Sequence, residues 1–207
     1  MTKSEHSQPR PQGRPVKSDN ERREMKQLIT KTAQRLFQNE GYATVSMRRL
    51  AKETGCSPMT LYKYFDGKIA ILQTLWAVVF TDLFGKLRDR IESDTEEKEK
   101  LRIACRHYVG YWLEHPEHYR LVFMAEGVMQ QDVSMFIDNP EIEAGFGLLA
   151  QLVVDASDDT IGSAATKIKI DLIMGALHGI AHNRITISGY PWSDTNALID
   201  QLVFDLF

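Results

Sequence analysis

The chain has 207 residues, 43% of them hydrophobic, which is enough length and apolar content for one or two compact domains with their own core. No apolar signal-type run opens the sequence, no stretch approaches the roughly 20 apolar residues of a membrane span, and Cys56 and Cys105 lack metal-type spacing, so a soluble, cytoplasmic chain with buried thiols and no membrane partner is expected. The net charge of −3 hides an asymmetry: 14 Lys and Arg stand against 7 Asp and Glu in residues 1–70, and 11 against 21 in residues 71–207, which points to a polyanionic partner at one end of an acidic body.

Residues 1–19 are polar and without periodicity, so the sequence predicts a disordered basic arm. Within it, Arg10, Gly13, Arg14, Pro15 and Lys17 have the composition of segments that enter a narrow A·T-rich minor groove; a simple solvated tail is the other reading. A first helix is expected over 20–39, with Met25, Leu28, Ile29, Thr32, Ala33, Leu36 and Phe37 on one face and Gly41 at its end.

Residues 46–68 then read as two short helices joined by a tight turn. Ser46 can cap the first, and Met47, Leu50 and Ala51 fall at helical spacing as its buried stripe. Gly55 stands where that helix must stop. Ser57 can cap the second, Pro58 suits its first position, and Leu61 and Phe65 give it an apolar face. Thr60, Tyr62, Lys63 and Tyr64 are left pointing toward a partner, as in a helix-turn-helix. Cys56 takes the turn position where a small residue packs between the helices; a redox-sensing thiol beside the second helix is the alternative.

The stretch GYATVSMRRLAKETGCSPMTLYKYFDGKIAIL resembles the signature of TetR-type one-component transcription regulators, over about residues 22–72. The resemblance implies an all-α homodimer whose N-terminal three-helix DNA-binding domain is joined by a long helix to a helical effector-binding and dimerisation domain, about nine helices in all. On that basis 20–67 is the DNA-binding domain and 68–207 the C-terminal domain. It also implies that Arg48 reaches a base edge or a phosphate, while its neighbour Arg49 is a backbone contact or a solvated charge. Ser57, Pro58 and Met59 lead the second helix into the major groove, and Thr60, Tyr62 and Tyr64 offer hydroxyls to phosphates. Lys63, Lys68 and Arg14 add cations. Many relatives carry glycine at the position of Met59, which leaves the base preference open. Tyr62 and Tyr64 as half-buried packing aromatics, and Lys63 and Lys68 as ordinary surface lysines, are the competing readings.

Beyond this signature a long helix is expected over 68–91, with the charge-rich residues 92–100 breaking it. Helices follow over 101–114 and 116–130, separated at Pro116. A loop covers 131–140, and helices run over 140–156, 160–187 and 193–207, with the turn SGYP before the last. Two stripes suit a four-helix interface between subunits: Ile161, Ala164, Ala165, Ile168, Leu172, Ile173 and Leu177, then Leu198, Ile199, Leu202, Val203, Leu206 and Phe207. Trp76, Phe80, Trp112, Tyr119, Phe123, Met124, Phe146, Met174 and His178 are the candidate lining of a pocket for a small apolar or aromatic effector, with Met129, Met135 and Phe136 in the same pool of apolar surface.

His178 and His182 stand at i and i+4, and His115 and His118 flank Pro116 and Glu117. Without an HExxH motif, a cysteine cluster, a nucleophile–base set or a phosphate loop, no metal, no cofactor and no enzyme activity is expected. The leading expectation is a repressor released from a pseudo-palindromic operator by its effector. A metal-dependent enzyme on a helical bundle and a constitutive DNA-binding protein without effector are the alternatives.

Overall fold

The computed structural model describes residues 18–91, 95–129, 131–133, 139–157 and 162–207. The expectations for the basic arm around Arg14, for Met135 and Phe136 and for Ile161 lie outside these residues. Regular structure among the described residues is helical throughout: α1 (Asp19–Glu40), α2 (Met47–Glu53), α3 (Pro58–Tyr62), α4 (Lys68–Arg90), α5 (Glu97–Glu114), α6 (Pro116–Phe123), α7 (Pro140–Asp155), α8 (Ala164–Thr186) and α9 (Thr195–Leu206).

Side-chain caps set most of the helix starts. Ser18 and Glu21 form a reciprocal capping box on α1, and Ser46, Ser57, Asn139, Ser163 and Asp194 each accept from a backbone N–H in the first turn of their helix. Two boundaries differ from the sequence reading. The charge-rich residues 97–100 belong to α5, because Glu97 and Glu99 lie in its first turn, where acidic side chains complement the helix dipole. The helix expected over 116–130 ends at Phe123, and Gly127 turns the chain at φ 82°.

The core runs continuously from Ile29 in α1 to Val203 in α9. α4 is its axis, with Ile71, Leu72, Leu75, Trp76, Val79, Phe80, Leu83, Phe84 and Leu87 all buried against α1, α5, α6 and α7. Each such side chain contributes about 1.5–3 kcal/mol of burial. By length and hydropathy α4 is, contrary to expectation, apolar enough to cross a membrane; its burial here accounts for the same composition. α7 crosses α4 at Gly145, where an added Cβ would stand 2.0 Å from the Phe84 ring.

The stripes on α8 and α9 split between two faces. Ile173 and Leu177 of α8, and Ile199 and Val203 of α9, are buried in the chain's own core. Ile168 and Leu172 remain exposed, as does Phe204, which the sequence reading omitted.

Candidate nucleic-acid interface and ligand cavity

The turn between α2 and α3 is fixed by short-range bonds. Ser46 Oγ accepts from the Arg49 N–H at 3.1 Å, and Leu50 and Ala51 are buried while Met47 is half-buried. Thr54 closes α2 by donating its hydroxyl to the Leu50 carbonyl at 2.9 Å. Gly55 follows at φ 68°, in the left-handed region that favours glycine. Cys56 is half-buried against the core, its Sγ 3.2 Å from Thr54 Oγ1. Ser57 Oγ accepts from the Thr60 N–H at 3.0 Å and shares a hydrogen bond with the Thr60 hydroxyl at 2.9 Å. Leu61 and Phe65, both buried, anchor α3 from below.

What remains outward is the predicted reading face. Arg48, Ser57, Pro58, Met59, Tyr62 and Lys63 are exposed, Met59 at 76% and Tyr62 at 51%, whereas Thr60, Tyr64 and Lys68 are half-buried. The side chains of Arg48, Tyr62 and Lys63 make no hydrogen bond or ion pair among the described residues, so their polar ends face outward.

Two cations are engaged inside the chain instead. Arg49, read from sequence as a backbone contact or a solvated charge, reaches Glu40 at 3.0 Å and Glu53 at 2.5 Å, and Glu53 also takes Arg35 at 2.6 Å. The Arg35 and Arg49 hydrogen bonds hold the Glu53 carboxyl below its ordinary pKa. These exposed pairs add little stability each, but they set the angle between α1 and α2. The Lys68 ammonium donates to the carbonyls of Tyr42 at 2.6 Å and Ala43 at 3.3 Å, and lies 4.1 Å from the centre of the Tyr42 ring. Burial lowers its pKa. Lys68 thus clamps the α1–α2 loop to the start of α4, a role with no signature in the sequence.

The body contains an apolar cavity of about 470 Å³ between α5, α7 and α8, lined by Leu101, Cys105, Glu143, Phe146, Gly147, Leu149, Ala150, Val153, Ile170, Ile173, Met174 and Leu177. Burial pushes the Cys105 thiol up to about 12, leaving it an uncharged apolar wall. Of the nine residues expected to line a pocket, Phe146 and Met174 do. Trp76, Phe80, Trp112 and Tyr119 are buried core. Trp76 donates its indole N–H to the Leu121 carbonyl at 2.9 Å, and Trp112 packs edge-on against Phe80, Tyr119 and Phe123. Met124 faces a separate hollow of about 420 Å³ between α6 and the α1–α2 loop. The aliphatic lining was missed because an aliphatic residue facing a void has the same periodicity as one facing a neighbour.

Beyond Leu177 of the cavity wall, a polar cluster joins α6 to α8. The Tyr119 hydroxyl on α6 meets His178 Nε2 at 2.9 Å and His182 Nδ1 at 3.2 Å on α8, and the Phe123 ring stacks edge-on to His178 at 4.5 Å. Burial lowers the pKa of His178, and His182 lowers it further. Past α6, Gly127 lies against Ala43, and Gln73 of α4 donates to the Asp132 carbonyl at 3.1 Å. The four histidines at 115, 118, 178 and 182 therefore form two separate clusters rather than one centre.

Residues 29–75 match the model of a family described as bacterial regulatory proteins, tetR family. The HTH-type transcriptional activator FasR of Mycolicibacterium smegmatis is 22% identical over 129 residues, covering 62% of this chain. This chain spans about half the length of that relative, 55% of it. The HTH-type transcriptional regulator SAR2658 of Staphylococcus aureus is 25% identical over 194 residues, covering 87% of this chain and 95% of the relative. The solved transcriptional regulator FadR from Bacillus subtilis, in complex with stearoyl-CoA, shares the fold with a TM-score of 0.66 at 18% identity, covering 87% of this chain and 96% of that one.

Proposed function

We infer that this chain, a member of the TetR family through its residues 29–75, is a sequence-specific DNA-binding transcriptional regulator, a repressor released from a palindromic operator by a small apolar effector. The observation that carries the reading is the free outward face of α2 and α3, where Arg48, Met59, Tyr62 and Lys63 stand on a capped and internally bonded turn. Met59 suits thymine methyl groups, and Arg48 and Lys63 suit base edges or phosphates. Arg14 on the basic arm adds a contact in the flanking minor groove. The work is binding rather than catalysis, and its place is the cytoplasm, with the chromosome.

One reading head offers too little surface for a specific site, so the functional unit is a homodimer. Ile168 and Leu172 of α8 and Phe204 of α9 supply its exposed apolar face, and Gly175 on the same side of α8 permits close approach. A two-fold axis there sets the two α3 helices about 34–36 Å apart, one turn of DNA.

The effector class is a long acyl chain. The cavity is apolar on nearly every side, and the structural neighbour FadR is in complex with stearoyl-CoA. Filling the cavity displaces α8, and His178 and His182 pass that displacement through Tyr119 to α6 and the α1–α2 loop. A ligand releases DNA only to the extent that it prefers the displaced arrangement.

The test is operator affinity at fixed salt for Tyr62→Phe combined with Lys63→Ala. The pair is expected to weaken binding at least tenfold while the dimer stays intact. Unchanged affinity would sink the assignment of α3 as the reading helix.

A further inference from the structure

His115, Glu117 and His118 meet at the corner where α5 passes into α6. His115 ends α5 and Pro116 begins α6, so the corner brings the three side chains together within four residues. His115 Nδ1 is 3.6 Å from Glu117 Oε1, and His118 Nε2 is 3.9 Å from the same oxygen; the three ligand atoms all lie within 4.8 Å of one another. The two imidazoles stack at 5.0 Å with 27° between their planes.

A second observation fixes which nitrogen of His118 is available. The Tyr111 hydroxyl lies 3.1 Å from His118 Nδ1 and 3.2 Å from the Val79 carbonyl, and it also bonds Asp82, so Tyr111 holds the Nδ1 edge of the His118 ring. Nε2 is left on the side of the Glu117 carboxylate, 3.9 Å from its Oε1. A ligand histidine whose other nitrogen is held by an outer partner is the usual arrangement around a bound metal. Asp82 and Lys86, ion-paired to each other at 2.8 Å, border the cluster and bring no net charge.

We propose that His115 Nδ1, Glu117 Oε1 and His118 Nε2 bind one divalent transition-metal ion of the zinc or cobalt class, with Tyr111 as the positioning residue for His118. Donors at about 2.0–2.2 Å around one ion stand roughly 3.4 Å apart in a tetrahedral shell, so small ring rotations at the corner complete the site and leave a position for water. Two imidazoles and a carboxylate suit this class rather than magnesium or calcium. The ion joins the cap residue between α5 and α6 to the first turn of α6.

The experiment is titration of the full, tag-free chain with Co²⁺ followed by visible absorption, which reports inner-sphere ligands, with Zn²⁺ competition for affinity. One ion per chain is expected. His118→Ala is expected to abolish the bands, and Glu117→Gln and His115→Ala to weaken binding. Tyr111→Phe should weaken it about tenfold with the band positions retained. His182→Ala should leave the titration unchanged. Absence of bands in the unaltered chain, or bands that survive His118→Ala, overturns the site. Since Tyr111 is buried, its variant counts only if its unfolding midpoint shows a folded chain; the half-buried Glu117→Gln decides otherwise.

Discussion

Lys68 illustrates how a residue in a DNA-binding signature can be committed to internal structure. Its ammonium bonds two carbonyls of the α1–α2 loop, so Lys68→Met leaves both short of a partner. Denaturant unfolding should show a loss of about 1–3 kcal/mol; a loss no larger than that of an exposed lysine would contradict the clamp. Arg48 and Lys63 could be read from sequence as outward cations because their helical register is unambiguous. The engagement of Arg49 with Glu40 and of Lys68 with Tyr42 could not, since those partners lie outside their own helices, although Glu53 meets Arg49 at i+4 within α2. Protonation adds a second test at this scale. Burial lowers the pKa values of His107 and His178 below the ordinary 6.5. The unfolded chain then binds more protons than the folded one between the lowered values and 6.5, so stability is present at pH 7 and falls as pH drops through that window. Thermal midpoints at pH 7.5 and 5.5 should show the lower value at pH 5.5, and an unchanged or higher midpoint would refute it.

Among the elements, the crossing of α4 and α7 makes the sharpest demand. The absent Cβ at Gly145 is what lets the helix lie on Phe84. Gly145→Ala should cost about 1–3 kcal/mol through overpacking, despite the gain in helix propensity, and Phe84→Leu should recover part of that loss. A stabilised Gly145→Ala chain would show that the two helices do not meet there. The caps at Ser46 and Ser57 and the turn at Gly55 were legible because each acts within three residues. The end of α6 was not, because the pattern of 116–130 stays apolar past Phe123, where the helix ends, before Gly127 turns the chain at φ 82°. The cavity was illegible for a similar reason: a Leu101 or a Val153 facing a void keeps the spacing of a core residue.

For the whole molecule, the fold could be read almost entirely from periodicity and the resemblance, whereas the face proposed to meet a second copy matches the sequence stripes only in part. Ile173 and Leu177 turn inward, and Phe204 turns out to be the exposed ring. Leu172→Glu is therefore expected to shift the chain from dimer to monomer in sedimentation and to abolish operator binding, with its helical content retained. A variant that stays dimeric would place the interface elsewhere. The central claim is that two α3 helices read one symmetric operator and let go when the cavity fills. Its most direct measurement is selection of genomic fragments by the purified chain, followed by a repeat of the selection with stearoyl-CoA present. The account predicts one enriched pseudo-palindrome with half-sites about one DNA turn apart, lost when the acyl ligand is added. Fragments enriched without symmetry, or a palindrome held equally well with and without the ligand, would contradict it.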